Sequence, residues 1–406
     1  MVHGLELPLV SVIIVNYNYG RFLGQAVASV FAQAYPNIEC IVVDNASTDN
    51  SAEVLRELAK EFPTLSWIQR GDNGGQSVAS IEGFARSSGE YVVFLDADDF
   101  LLPGFIETHV FVHLSLRVPV GLSSSDMVQT VDARVVLGSC SGLSDYVRSG
   151  RGKCADLIRR VDARGAGLWS LDGPSPEIEN QIHLVRPYDV ATWCWSPTSG
   201  NCFRRDALRL FLNNKALAAL PNSTDAYLIR GVSVLTGSVL IDRPLSAYRL
   251  HGTNQFSQHP HLNGVVNYDR CGQGNNDQLS RVMLIDHFIA NIDLFLSKSH
   301  APENFIRALV ALDEVWPPTS STVPGCSTYL AGKLVTESET VARALEWHRY
   351  MALLTQLKIA KTTIVFAIFA RRLFAHRKRD SRAAAVSDGA ASAASDSLAW
   401  RRKGQP

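Results

Sequence analysis

The sequence predicts an α/β protein with a Rossmann-like, mostly parallel sheet flanked by helices and a helical C-terminal extension. Three observations predict it. Short β-branched runs alternate with helical segments through the first hundred residues. A polar residue follows each of the first four runs, at the end where ligands bind in parallel sheets. The last third has helical spacing and few strand signals.

Leu9–Val15 (LVSVIIV) reads as a buried strand. Arg21–Ala34 spaces Phe22, Leu23, Ala26, Val27, Val30 and Phe31 as a helix, which Pro36 ends. Ile38–Val43 is a second strand, Ser51–Phe62 a helix that Asp49 can cap, and Leu65–Gln69 a third strand. Gly75–Ser87 is a helix and Tyr91–Leu95 a fourth strand. Beyond Pro103, Val118–Ser124 reads as a strand and Gly138–Asp189 as an irregular insertion rich in Gly, Ser and Arg. Arg205–Asn213 and Thr224–Thr236 read as helices and Gly237–Ile241 as a strand. Ile285–Leu296, Ala301–Trp316 and Ser338–Phe374 read as helices. The expected organisation is an α/β domain over 1–260 with the insertion at 138–190, a helical region over 261–378 and a disordered tail over 379–406.

With 406 residues, 46% of them hydrophobic, the chain can bury a sizeable core. Lys+Arg and Asp+Glu both number 39, a balance that argues against a nucleic-acid partner. The charge is uneven: residues 351–406 carry a net +8 and the first 350 a net −8. The seven cysteines are odd in number and lack metal-type spacing. The start does not look like a signal peptide, and no apolar run is long enough to span a bilayer. The expected location is cytoplasmic. Leu353–Phe374, followed by His376-Arg-Lys-Arg379, is either a core-packing helix with a solvated basic end or a basic amphipathic helix. The second reading allows peripheral contact at the inner face of the plasma membrane.

The strongest chemical signal is Leu95-Asp-Ala-Asp-Asp-Phe100. Asp96 and Asp98 lie two apart, so an extended backbone points both the same way. Converging carboxylates repel unless a cation lies between them, and Mg²⁺ or Mn²⁺ takes carboxylate and phosphate oxygens. The plainer reading is a solvated turn. Asp44 and Asp72 end the second and third strands, where each serves either a nucleotide or a turn. No GxGxxG or Walker loop follows the first strand.

The ordered set Val12-Ile-Ile-Val-Asn-Tyr-Asn18, Ala28-Ser-Val-Phe-Ala-Gln33, Glu39-Cys-Ile-Val-Val-Asp-Asn-Ala-Ser-Thr-Asp49, Arg70-Gly-Asp-Asn-Gly-Gly-Gln76 and Gly89-Glu-Tyr-Val-Val-Phe-Leu-Asp-Ala-Asp-Asp99 resembles glycosyltransferase family 2. Thr198-Ser-Gly-Asn-Cys-Phe-Arg-Arg205, Thr224-Asp225 and Tyr248-Arg-Leu-His-Gly-Thr-Asn254 are weaker pieces. The resemblance implies a GT-A fold and inverting, metal-dependent transfer from a nucleotide diphosphate sugar, UDP- or dTDP-linked. The acceptor is a glycan or lipid-linked hydroxyl in surface polysaccharide synthesis. Carried over residue by residue, Asn16, Tyr17, Asp44 and Asp72 line the nucleotide site, and Asp96 contacts ribose or donor. Asp98 holds the metal, Mg²⁺ or Mn²⁺, and His251 sits near it and the diphosphate. Asp225 matches the catalytic base. Trp195, within Trp193-Cys-Trp195, and Asn201 are acceptor candidates, with core packing the alternative for the tryptophans. Two departures stand out: Ile81 replaces a common Asn, and the stretch from Asp99 to Asp225 is long. Competing readings are a nucleotidyltransferase-like sugar-nucleotide enzyme and a non-catalytic carbohydrate-binding relative. The first wants a basic glycine-rich loop that Asn16–Gly20 lacks; the second wants a broken acid set.

Overall fold

The computed structural model describes residues 6–159, 176–252, 254, 274–299, 301–315, 317–360, 362–363 and 365. They form two compact units, one reaching Thr319 and the other beginning at Ser320. The expected boundary at 260, the basic stretch at 376–379 and the tail from 379 lie outside the described residues.

The first hundred residues follow the expected alternation. β1 (Val10–Asn16), α1 (Gly20–Phe31), β2 (Ile38–Asp44), α2 (Ser51–Glu61), β3 (Ser66–Gln69), α3 (Gly75–Arg86) and β4 (Tyr91–Asp96) succeed one another. β3–β2–β1–β4 pair in parallel. The register sets Asn16 opposite Asp44 and Val15 opposite Asp96, so the polar ends lie side by side. β1 is buried on both faces, as a central parallel strand must be. Val12 and Ile14 join the core that holds Leu23, Val27 and Val30 of α1. Ile13 faces α3, where a Cβ on Gly83 would meet Ile13 Cγ2 at 2.4 Å. Only glycine lets that helix lie so close to the sheet.

Next come β5 (Phe100–Leu101), α4 (Phe105–Ser115), β6 (Leu122–Val131), β7 (Arg134–Leu137), α5 (Ser141–Arg148), β8 (Ile182–Val185), β9 (Asn201–Arg204), α6 (Arg205–Leu212), α7 (Thr224–Thr236) and β10 (Ser238–Arg249). The described strands form one sheet ordered β3–β2–β1–β4–β9–β6–β10–β5, with β7 on β6 and β8 on β10. β9 runs antiparallel to both β4 and β6, so the sheet becomes mixed past its parallel half. α8 (Gly274–Ala290), α9 (Ile292–Lys298) and α10 (Pro302–Asp313) complete the first unit. The second contains α11 (Tyr329–Thr336), α12 (Ser338–Leu345) and α13 (Trp347–Gln356). Among the described residues, no helix is long and apolar enough to cross a membrane.

Four differences from the sequence reading have physical causes. β6 begins at Leu122, not Val118, and runs to Val131 through Ser123-Ser-Ser-Asp126. Its serines are bonded inside: Ser124 Oγ accepts from Ser196 N at 3.0 Å, and Ser125 Oγ donates to Gly200 O at 3.3 Å. β10 continues past Pro244 because register shifts on both sides of that residue absorb the missing donor. The segment read as irregular supplies α5 and β8, and β8 pairs with Ser238–Ile241. The helix expected over Ser338–Phe374 breaks at Glu346, with φ 64°. The break folds α13 back, and Tyr350 donates to Leu334 O at 3.0 Å.

The start of α5 is fixed by a buried acid. Asp126 Oδ1 accepts from Met127 N at 2.8 Å and Cys140 N at 2.7 Å. Burial pushes its carboxyl up to about 6, against those two bonds. With the folded value above the ordinary one, the neutral form's stabilisation is present below about pH 4 and lost as pH rises through about 6. Asp126→Asn keeps the accepting oxygen and removes the titration. The variant should gain on the parent with rising pH, reaching about 3 kcal/mol by pH 7 at about 1.4 kcal/mol per unit. Urea unfolding of both proteins at pH 4 and pH 7 checks this; a difference independent of pH would contradict it.

Candidate active site

The site lies at the carboxyl end of the parallel strands, where chain reversals leave backbone and side chains open to a ligand. β1 ends in Asn16, which is buried. Its Nδ2 donates to Asp44 Oδ1 at 2.7 Å, Ser51 Oγ at 2.9 Å and Ser47 Oγ at 3.1 Å. Asn16 Oδ1 is buried with no partner among the described residues. Asp44 is 0% exposed, and its Oδ2 accepts from Ser47 N at 3.3 Å. Asp49 bonds Ser51 N at 3.0 Å and Gly20 N at 2.9 Å, joining the starts of α2 and α1. Tyr17 is 43% exposed beside this pair in the chain. The Asp72 side chain is 81% exposed and 3.4 Å from Arg70, on the surface.

β4 delivers the acid cluster. Asp96, Asp98 and Asp99 turn back on themselves, with Asp99 N donating to Asp96 O at 3.0 Å. Asp98 Oδ2 lies 2.9 Å from His251 Nε2. Asp99 Oδ2 accepts from Ser199 Oγ at 2.7 Å and its Oδ1 from Arg249 N at 3.0 Å. The Arg249 guanidinium donates through Nε to Asp98 O at 2.7 Å and through Nη2 to Gln25 Oε1 at 2.8 Å. Asn254 holds the same turn, donating to Arg249 O at 2.6 Å and accepting from His251 N at 2.8 Å. A break at the end of β10 thus presents His251 to the acids.

Like charges in a buried place resist ionisation. Burial, then Asp98 and Asp225, push the Asp96 carboxyl up to about 7, while Thr198 and Gln76 oppose the shift by hydrogen bonding. Asp99 is raised well above the usual carboxylate range, first by burial and then by Asp98 and Asp96. A divalent cation would relieve this stress, and the donor set of carboxylates with one imidazole suits a hard or borderline ion. Among the described residues, no three His, Cys, Asp or Glu side chains form a ready cage. Asp98 with His251, 2.9 Å apart, would supply two protein ligands, a number that would leave room for substrate oxygens.

Asp225 opens α7, in the first turn where the helix dipole favours an acid. Burial raises its carboxyl and Asp277 adds to this; Ala226 N, Arg230 and Thr198 N oppose the rise. Two neutral residues join it to the acid cluster. Thr198 hydrogen-bonds Asp96 through its side chain and Asp225 through its backbone. Gln76 Nε2 donates to Asp96 Oδ1 at 3.3 Å, and its Oε1 accepts from Thr224 N at 3.4 Å. The start of α3 is locked against α7 by Gln76 N to Pro221 O at 2.9 Å and Ser77 Oγ to Thr224 Oγ1 at 2.7 Å. Gly75 allows this contact: its φ is +82°, and a Cβ there would lie 2.7 Å from Pro221 O.

The structure brings together Asp96, Asp98, Asp225 and His251, and separately Asn16 and Asp44. Trp195 is 1% exposed and donates to Ser238 Oγ at 2.8 Å. Asn201 is also buried; its Nδ2 is spent on Ser196 O at 3.0 Å and Pro197 O at 2.8 Å. Trp195 therefore ties its segment to the start of β10 and Asn201 holds the 196–201 turn, and neither offers a face to an acceptor. The half-buried Trp193 lies with its ring 5.1 Å from the Arg230 guanidinium. Gln76, Thr198, Ser199, Arg249 and Tyr19 were not singled out by sequence. All but Tyr19 lie in stretches quoted for the resemblance, and motif context was their only signal.

Comparison with known proteins bears on the family of the chain. The sequence model described as "Glycosyl transferase family 2" matches residues 11–116. The chain is 30% identical over 318 residues to an uncharacterized glycosyltransferase of Nostoc sp., covering 76% of this chain and 86% of that protein. It is 38% identical over 92 residues to the putative teichuronic acid biosynthesis glycosyltransferase TuaG of Bacillus subtilis, which spans 23% of this chain and 36% of TuaG. The crystal structure of S. aureus TarS 1-349 in complex with UDP aligns with a TM-score of 0.41 at 17% identity, covering 86% of this chain and 91% of that one. With a matching family model and a relative of 30% identity aligned over most of both lengths, the chain belongs to glycosyltransferase family 2.

Proposed function

We propose that the protein transfers a sugar from a nucleotide diphosphate sugar, UDP- or dTDP-linked, to a hydroxyl acceptor with inversion at the anomeric carbon. One observation carries this reading. Thr198 and Gln76 bridge Asp96 to the start of α7, so a base and an acid cluster from distant parts of the chain face one cleft.

In this reading Asp225 accepts the proton from the acceptor hydroxyl oxygen as that oxygen attacks the sugar carbon. Its raised carboxyl makes it a stronger base once ionised, and Thr198 N and Ala226 N orient it. Asp98 and His251 would hold Mg²⁺ or Mn²⁺, with donor oxygens completing the shell. The ion supplies neutralisation of the charge that builds on the departing diphosphate. Asp96 receives the donor, while Asn16 and Asp44 form the floor of the nucleotide pocket beneath Tyr17. Asp72, at the surface, serves the nucleotide only if the loop around it closes.

The acceptor proposed is a glycan or lipid-linked glycan of surface polysaccharide synthesis, in line with TuaG, a putative teichuronic acid biosynthesis glycosyltransferase related over 92 residues. The net +8 after residue 350 would favour an anionic leaflet where such lipid carriers reside. An acid set complete at Asp96, Asp98 and Asp225 favours a catalyst over a binding relative. Hydrolysis of a panel of nucleotide sugars, each with and without Mn²⁺, tests the reading. One donor should be cleaved in a metal-dependent manner; cleavage of none, or equal cleavage in chelator, would contradict it.

A further inference from the structure

An acidic cleft that must accept a diphosphate needs donors beyond one cation. Asp96, Asp98 and Asp99 already concentrate negative charge, and a nucleoside diphosphate adds more. Arg249, the cation inside the cluster, is committed: its fork is spent on Asp98 O and Gln25 Oε1. Its guanidinium also lies 4.6 Å from the Phe22 ring centroid and 5.3 Å from that of Phe100.

The uncommitted donors at the mouth come from the start of α1. Tyr19 is half-buried, with its ring edge-on to His251 at 5.3 Å between centroids. His251 is the residue 2.9 Å from Asp98 Oδ2, so the phenol borders the metal-ligand pair. Tyr19 O accepts from Phe22 N at 2.9 Å and Leu23 N at 3.0 Å, which fixes the residue on the helix. Among the described residues its hydroxyl has no hydrogen-bond partner. A phenol keeps its proton at neutral pH and can donate to an anionic oxygen without adding charge. Arg21, two residues on, is exposed, and its guanidinium lies 4.4 Å from the Phe22 ring centroid. The same ring sits 5.1 Å from His251. Among the described residues Arg21 makes no ion pair.

We infer that Tyr19 donates a hydrogen bond to the diphosphate of the bound nucleotide, with Arg21 as an outer cation that draws the anion to the cleft. This rests on the reading that the cleft binds a nucleoside diphosphate. It adds two residues to a site that Asn16 and Tyr17 enter from just before α1. Tyr19 and Tyr17 then divide the labour: Tyr17 beside the nucleoside, Tyr19 at the phosphates.

Calorimetric titration in Mn²⁺ separates the two, using UDP against UMP, with GDP against GMP run in parallel. Tyr19→Phe removes only a hydroxyl that has no partner among the described residues, so folding should be unaffected. It should weaken the diphosphate about tenfold, as for a hydrogen bond to a charged group, and leave the monophosphate unchanged. Arg21→Gln should cost the diphosphate about threefold, a loss that vanishes at high salt. Wild-type affinity of Tyr19→Phe for the diphosphate, or an equal loss for mono- and diphosphate, would overturn the inference. A wild-type protein that binds neither diphosphate in Mn²⁺ would instead overturn the reading of the cleft, and this inference with it.

Discussion

Asp225→Asn is expected to lower sugar transfer by a factor of about 10²–10⁴, the usual contribution of a positioned base, while leaving nucleotide binding intact. The substitution is nearly isosteric. Its amide oxygen can still accept from Ala226 N, which bonds Asp225 Oδ1 at 2.8 Å. The bridge from Gln76 to Thr224 N does not involve the carboxylate, so the start of α7 should stay in place. What disappears is the ability to take a proton. Removing one acid should also relieve Asp96, since Asp225 is one of the charges that raise it. Affinity for donor should therefore hold while turnover falls. Initial rates with the donor found by the panel, beside calorimetric binding of its nucleoside diphosphate, check both halves. Retained turnover would remove Asp225 from the role of base.

Asp98→Ala is expected to abolish metal-dependent stabilisation by nucleoside diphosphate. A ligand present at 100 times its dissociation constant adds about 2.7 kcal/mol to the folded state. The wild-type chain should show that gain in thermal unfolding with UDP and Mn²⁺ together, and the variant almost none. The fold itself should tolerate the change. Asp98 O, not its carboxylate, receives Arg249, and that contact survives in alanine. Loss of one carboxylate also reduces repulsion on Asp99 and Asp96. The metal-free variant should thus be as stable as the parent or more so. Such a gain without ligand and a loss with it would set a ligand role apart from a structural one.

The parallel half of the sheet was legible because its central strands, β1 and β4, are buried on both faces and read as apolar runs. The chemistry at their ends was legible for the same reason: Asn16, Asp44 and Asp96 interrupt apolar stretches where a polar residue has no packing purpose. The mixed half was harder. The strand read over Val118–Ser124 runs on through Ser125 and Asp126, a continuation that makes sense only once Ser196 and Gly200 are seen to satisfy its serines. α4 hides two histidines in the core: His109 and His113 both reach Ser123 Oγ, at 2.7 and 3.0 Å. Burial lowers both, and His113 falls to about 4, so they stay neutral and pack like apolar groups.

The residues that organise the site escaped for a further reason. Gln76 and Thr198 are neutral, and each acts by spanning segments more than a hundred residues apart in the chain. No local pattern marks such a bridge. Trp195 and Asn201 show the converse, where residue types fit for sugar recognition are consumed inside the fold, one on Ser238 of β10 and the other on the 196–201 turn. A tryptophan indole and an asparagine amide bind backbone and hydroxyl groups as readily as a ligand, and only burial tells which they do.

Counting Mn²⁺ ions bound to the nucleotide-saturated chain, by calorimetric titration of metal into protein held in excess UDP or GDP, tests most directly whether the β4 acids and His251 gather one ion. The account gives one ion per wild-type chain and none in Asp98→Ala. A wild-type chain that takes up no Mn²⁺ with either nucleotide, or an Asp98→Ala chain that takes up as much as the parent, would contradict it.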